Sequence, residues 1–237
     1  MSPQTHTQIY KNHFVWNDTI NAYSFDISLI TCREKCEVYL NGLEPYCKTT
    51  DQRMKHNEPR NERHASNERL LKNPGFVRSL TSELKSLKND RNYHKADYIR
   101  FFSFGDLSCI EDLIKIVELS LKNSDVEFWL STNHQNSHIL TEYFIKRKLT
   151  KPENLTIRLS LPLVYGKELF IESFEPYGVT FSTITNDKNQ SNCIKSKNGS
   201  NCGSCSDCWN PKIKIIKYFN HGLLKHRLTD YLEFFKK

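Results

Sequence analysis

The sequence predicts an α/β fold on a mainly parallel six-stranded sheet, either open or curled into a partial (β/α)6 barrel. Three observations predict it. Six short runs rich in apolar, β-branched and aromatic residues recur along the chain. Most are separated by polar, helix-forming stretches with apolar residues three and four apart, and strands joined through such helices pair in parallel with right-handed crossovers. Finally, loops at about residues 31–60 and 186–210 carry seven of the eight cysteines, which predicts metal-binding loops on the same scaffold. The 237 residues suffice for one large domain, 1–237, with a buried core.

The first strand is Ser24 to Ile30, which runs directly into Thr31-Cys32. Asn61 to Leu87 is helix-forming but interrupted at Asn73-Pro74-Gly75, so it reads as two helices with Leu70, Leu71, Phe76, Val77, Leu80, Leu84 and Leu87 on the inner stripe. Tyr98 to Ser103 is the second strand, ended by Phe104-Gly105-Asp106. Ser108, with Glu111 three residues on, opens a capped helix carrying Ile110, Leu113, Ile114, Val117 and Leu121 on one face. Val126 to Leu130 gives a third strand, Ser137 to Lys148 a helix, and Leu155 to Leu161 a fourth strand. Val179 to Ile184 and Ile213 to Phe219 complete the six. Between these last two, Asn186 to Asp207 is rich in Asn, Ser, Lys and Gly, and only its four cysteines supply a reason for order.

No basic stretch followed by an apolar run opens the chain, and nowhere do about 18 apolar residues run together. The expectation is a soluble, cytoplasmic protein without a membrane span. In a reducing compartment eight cysteines argue for metal ligation over a disulfide framework. The net charge of +7, from 34 Lys and Arg against 27 Asp and Glu, is mostly interleaved, as in Arg33-Glu34-Lys35. It permits nucleic acid as a partner, with no recognition motif in support. Gly-rich phosphate loops, HExxH and GxSxG are all absent, so nucleotide hydrolysis, zinc peptidase and serine-hydrolase chemistry find no support.

The C-terminal group reads Cys193-x8-Cys202-x2-Cys205-x2-Cys208 and is followed by Trp209. Gly203 and Ser204 are small and let the backbone turn so that successive sulfurs converge. Its CxxCxxC spacing favours an iron–sulfur cluster, with zinc as the alternative. The first group, Cys32-x3-Cys36-x10-Cys47, offers three thiolates and leaves one position open for a substrate or cofactor, unless His56 or His64 closes the site or both groups share one centre.

Several short motifs in order carry a resemblance. These are Thr31-Cys32 with Cys36 and Cys47, the Asn57 to Arg69 segment, Ile99 to Leu107, Phe128-Trp129-Leu130-Ser131-Thr132, Asn154 to Ser160, and Cys202-x2-Cys205-x2-Cys208-Trp209 with His221. Together, over roughly residues 24 to 221, they resemble the phage gene-product-88 family, which implies a phage or prophage provenance and, if phage-encoded, a place in the host cell cytoplasm. More distantly, Cys32-x3-Cys36, Tyr46-Cys47 and Gly105-Asp106 are similar to radical S-adenosylmethionine enzymes. In those a loop after the first barrel strand holds a [4Fe–4S] cluster and a glycine-acid turn after the second binds the methionine amino group. That resemblance implies cofactor binding by Gly105 and Asp106, with S-adenosylmethionine as the cofactor.

In a parallel α/β fold the loops after the strands build the ligand face, so Cys32 to Cys47, Gly105-Asp106, Ser131 to His134, Ser182 to Cys208 and His221 are expected on one face. Asp106 also fits as a helix N-terminal acid, and His134 with His138 as a solvated pair. Arg100 and Arg158 read as an anion clamp or as buried ion-pair partners. Cys109 reads as ordinary core. The function expected is an iron–sulfur protein, radical-SAM-like in chemistry. Its alternative is a non-catalytic zinc-stapled protein acting on nucleic acid or a host protein.

Overall fold

The computed structural model describes residues 12–28, 58–90, 94–161, 167–185, 187–198, 201–202 and 205–219. Seven strands form one sheet in the order of the chain: β1 (Val15–Asn17), β2 (Ala22–Phe25), β3 (Tyr98–Phe101), β4 (Glu127–Asn133), β5 (Leu155–Ser160), β6 (Thr180–Thr185) and β7 (Ile215–Phe219). The six expected parallel strands are present, and an antiparallel β1 adds a seventh at the edge. Its three residues, Val15-Trp16-Asn17, are too few to show a period of two. Its pairing is set by the turn instead, where Asn17 Oδ1 accepts from Thr19 N at 3.0 Å and Asn21 takes φ 51°.

Because each parallel strand is laid beside its predecessor in the same direction, right-handed crossovers deliver successive helices to one face. The helices are α1 (Glu58–Lys72), α2 (Phe76–Asn89), α3 (Ile110–Lys122), α4 (Ser137–Leu140) and α5 (Lys167–Phe174). Leu71, Phe76, Leu80, Leu84, Leu113, Ile116, Ile139 and Phe174 from these helices share one buried cluster with Phe25, Phe101, Phe128, Leu130, Ile157 and Phe181 from alternate strand positions. Burial of each such side chain contributes on the order of 2 kcal/mol, so this face holds the sheet and helices together. The helix expected over 137–148 is regular only through Leu140. Its next turns widen, with Arg147 N donating to Glu142 O and Leu149 N to Tyr143 O, before Lys148 turns left-handed at φ 54°.

The start of α3 differs by a residue from the sequence expectation. Cys109, not Ser108, is the N-cap, and Asp112 rather than Glu111 reaches back, accepting from Ser108 N at 3.0 Å and Ser108 Oγ at 2.6 Å. Cys109 is therefore half-buried at a helix end, 3.7 Å from Lys72 Nζ, and not in the core.

The intervening positions make the second face of the sheet, and their character is polar. Ser24, Arg100, Trp129 and Thr156 align across β2 to β5, and Ser131, Arg158 and Thr180 align across β4 to β6. No helix of the apolar cluster covers this face. It is met by the crossover between β6 and β7, which contains the short helix α6 (Ile194–Asn198) and the C-terminal cysteines.

That crossover begins as a strap along the edge of β7 away from β6. Asn192 Nδ2 donates to Ile215 O at 2.8 Å and Asn192 Oδ1 accepts from Lys217 N at 2.6 Å. Ser191 Oγ donates to Lys217 O at 2.9 Å, and Ser196 Oγ accepts from Phe219 N at 2.8 Å. Side chains thus take the place of an eighth strand. No described helix is long and apolar enough to cross a membrane.

Candidate functional site

From the strap the chain reaches the opposite end of the sheet. Cys202 N donates to Thr19 O in the β1–β2 turn at 2.9 Å, and Cys205 N donates back to Cys202 O at 2.9 Å, closing a tight turn. Trp209, 4% exposed, then inserts against the second face. Its indole packs edge-on to Trp129 at 5.1 Å and Tyr98 at 5.4 Å, Nε1 donates to Ile99 O at 3.1 Å, and its carbonyl accepts from Thr156 Oγ1 at 2.6 Å. Cys202 and Cys208 pack on the same small cluster, with Ile20 and Ala22. The 202–209 part of the crossover therefore lies across the second face towards the strands' N-terminal ends, instead of staying with the loops at their C-terminal ends as the sequence suggested. The reason is Trp209: an indole with one N–H and a large apolar surface is best placed where an open carbonyl and two aromatic rings meet.

Cys193, Cys202, Cys205 and Cys208 are all free thiols. They are electrostatic neighbours, since Cys193 disfavours ionisation of each of the other three. Burial pushes the Cys208 thiol up to about 11, opposed by the guanidinium of Arg158 and by Tyr218, whose hydroxyl lies 3.8 Å from Sγ. Burial likewise raises Cys202 and Cys205. Thiolates in this position need a cation to be stable, and a soft metal is the cation that four such groups suit. Among the described residues no group of three or more His, Cys, Asp or Glu is already arranged around a metal position. Gly203 and Ser204, between Cys202 and Cys205, are outside the described residues.

Beneath the cysteines, Arg158 is fully buried, and its partners are all backbone carbonyls. Nη1 donates to Phe181 O (3.0 Å) and Ile213 O (3.2 Å), and Nη2 to Asp207 O and Cys208 O (3.3 Å each). It makes no ion pair among the described residues, and the groups that favour its charge are Cys208, Tyr218 and Asp207. Of the two roles expected for Arg158, ion-pair partner and anion clamp, the structure gives neither. The side chain is a fastener between β5, β6 and the crossover. Arg100 is different: its guanidinium carbon lies 4.3 Å over the Trp129 ring.

Gly105 and Asp106 lie at the other end of the sheet, after β3. Gly105 has φ +81°, and a Cβ there would collide with Ile27 Cγ1 and stand 3.0 Å from the carbonyl oxygens of Ile27 and Ser28. Gly105→Ala is expected to cost about 3 kcal/mol, from left-handed strain plus overpacking, read as a lowered urea midpoint. Asp106 is buried and bound to protein: Oδ1 accepts from Leu107 N (2.7 Å) and Thr132 Oγ1 (2.6 Å), and Oδ2 from Asn133 N (2.9 Å). It ties the turn after β3 to the end of β4. Thr132 alternates with Leu130, so Asp106 is on the helix side, and the structure does not bring it to the C-terminal cysteines.

Two buried ionisable groups at this end titrate in opposition. Burial pushes Asp106 up to about 6, against its hydrogen bonds, whereas burial, with Arg63 and Arg60, pulls His64 on α1 down to about 4. Between pH 4 and 6 the folded state binds more protons at Asp106 than the unfolded chain, so that contribution to stability falls as pH rises, by on the order of 2–3 kcal/mol. For His64 the unfolded chain binds more protons between about pH 4 and 6.5, so stability rises with pH. The slopes therefore oppose each other. Across pH 4.5 to 6.5, Asp106→Asn is expected to gain stability relative to the parent as pH rises, and His64→Leu to lose it. Urea midpoints for both variants that run parallel to the parent would refute the assignment.

Cys32, Cys36 and Cys47, the candidate ligand His56, the aromatic Tyr46 and His221 lie outside the described residues. His64 is 3% exposed, its Nε2 is without a partner among the described residues, and its ring lies 5.5 Å from Phe104. His134 packs on Phe170, and His138 Nδ1 is 3.1 Å from Gln135 O. Sequence reasoning missed the roles of Trp209 and Ser24. The signal for the first was present, since a tryptophan directly after a CxxC run in an otherwise apolar-poor loop has few reasons to be there except as an anchor.

A family model described as Gene product 88 matches residues 7–214 of the chain. No curated protein and no solved structure matches it.

Proposed function

The chain belongs to the gene product 88 family, and on that premise we propose that it is a metal-centre protein in which Cys193, Cys202, Cys205 and Cys208 hold an iron–sulfur cluster. One observation carries this: Cys208, an electrostatic neighbour of Cys193, as Cys202 and Cys205 also are, lies beside the fully buried guanidinium of Arg158, which makes no carboxylate ion pair among the described residues. A centre ligated by four thiolates carries net negative charge, which would offset the cost of burying Arg158 and reverse the protonation of Cys208. Cys32, Cys36 and Cys47 form the second, open centre in this reading, with S-adenosylmethionine as its cofactor. The parallel strands in chain order, with helices packed on one face, suit a partial (β/α)6 barrel of the radical-SAM kind. Gly105 and Asp106 serve such a cofactor by fixing the loops after β3 and β4. A bound cluster would supply one-electron reducing power at the open centre.

The test is metal and sulfide content with an absorption spectrum on anaerobically purified protein. About four or eight irons per chain and a broad band near 400 nm are expected, with the iron content lowered in Cys205→Ser. Loaded protein given S-adenosylmethionine and dithionite should then release 5′-deoxyadenosine, and no release from fully loaded protein rejects the enzymatic part alone. Zinc with no visible band instead rejects the cluster and leaves a zinc-stapled protein that binds nucleic acid or a host factor.

A further inference from the structure

The second face of the sheet carries a row of hydrogen-bond donors that no described residue uses. Ser24, Arg100 and Trp129 are in register on adjacent strands β2, β3 and β4. Ser24 Oγ, Arg100 Nε and Trp129 Nε1 are each buried without a hydrogen-bond partner, and Ser24 and Trp129 are only 5% and 4% exposed. On β5, Arg158 Nε is in the same condition. Buried polar groups without partners are rare because each forfeits its bonds to water. Four on neighbouring strands of one face mark a place built for an acceptor.

The character of the acceptor follows from Arg100. Its guanidinium is stacked on the Trp129 ring, which fixes its plane and shields one side. Among the described residues it has no ion pair and no hydrogen bond. Asp26, Cys202, Cys208 and Tyr218 are within its electrostatic reach, but Asp26 Oδ1 is committed to Ser103 N (2.6 Å) and Phe104 N (3.1 Å), and burial raises the two thiols and the phenol, which favours their neutral forms. Arg158, by contrast, spends its four terminal bonds on carbonyls. A planar fork of unspent donors beside a hydroxyl and an indole N–H matches a group with two or three anionic oxygens.

We propose that the second face binds a small-molecule anion, a carboxylate or a phosphate, with Arg100 as its anchor and Ser24 Oγ and Trp129 Nε1 as further donors. The donors stand on the sheet, beside Cys202 and Cys208, which pack on the Trp129 cluster and lie within electrostatic reach of Arg100, so anion binding is compared with and without metal.

The test is calorimetric titration of the full chain with inorganic phosphate and, separately, succinate, at constant ionic strength, on metal-loaded and metal-stripped protein. Saturable binding of at least one probe is expected, at about 1 mM or tighter, with quenching of tryptophan fluorescence. Arg100→Gln should weaken it at least tenfold on metal-loaded and metal-stripped protein alike. Arg100→Lys, which keeps the charge and loses the fork, should fall between. Phosphate alone assigns a phosphate-bearing ligand, succinate alone a carboxylate, and both the shared chemistry. No saturation by either probe, or equal binding by Arg100→Gln, overturns the proposal. If Arg100→Gln does not fold, Ser24→Ala and Trp129→Phe decide it, and unchanged affinity in both overturns it.

Discussion

Replacing Trp209 by alanine is expected to lower stability by about 5 kcal/mol, at the upper end for an aromatic removed from a core. The indole is the centre of the small cluster with Ile20, Ala22 and Trp129, and it is the one large apolar group that the C-terminal cysteine segment contributes to it. Its removal leaves a void between Tyr98 and Trp129 and strands Ile99 O, which loses the Nε1 donor. Thermal unfolding should shift down by roughly 10–20 °C for a chain of this size. Trp209→Phe refills most of the volume and fails only to bond Ile99 O, so its cost should be nearer 1–2 kcal/mol. A pair of variants with equal, small losses would show that the crossover is not anchored there.

Arg158→Met is expected to cost about 4 kcal/mol. Methionine replaces the aliphatic stem of the side chain, so packing along β5 is kept and only the space of the guanidinium is vacated. What is lost are donors to four carbonyls, those of Phe181, Asp207, Cys208 and Ile213, of which burial makes each unpaired oxygen cost about 1–3 kcal/mol. Against this, removal of a desolvated cation returns part of the loss. The net sign decides between two pictures of the site: a destabilised variant means the fastening of β5, β6 and the crossover outweighs the burden of the charge. A variant as stable as the parent would mean that the charge alone was the reason for an arginine here. Chemical denaturation of metal-stripped protein separates this from any effect on the thiol centre.

The helix-facing half of the fold was legible because apolar periodicity reports burial against an apolar partner. Phe76, Val77, Leu80, Leu84 and Leu87 are spaced for one helix face and all are buried. The β4 and β5 runs were found to within a few residues. Strand β1 and helix α5 were not anticipated, the first for its brevity and the second because Lys167–Phe174 is short and largely exposed, with only Phe174 buried. The second face was legible in its residues but not in its arrangement. Arg100 and Arg158 are identical in type and both sit on strands. Only register shows that one lies over an indole and the other under the crossover's carbonyls. The placement of the Cys193–Cys208 segment across the sheet depends on contacts such as Cys202 N to Thr19 O, nearly two hundred residues apart in sequence, for which no local pattern exists.

The strap of Ser191, Asn192 and Ser196 along β7 has a consequence for how the protein behaves at concentration. The main-chain groups it occupies, Ile215 O, Lys217 N, Lys217 O and Phe219 N, are those through which a strand of another molecule would attach. Cys193 follows directly in that strap, its own N–H donating to Lys217 O. Colloidal behaviour is thereby tied to the crossover. Molecules whose crossover has lifted would add to one another edge to edge, and preparations of such protein would precipitate while their helices were still folded.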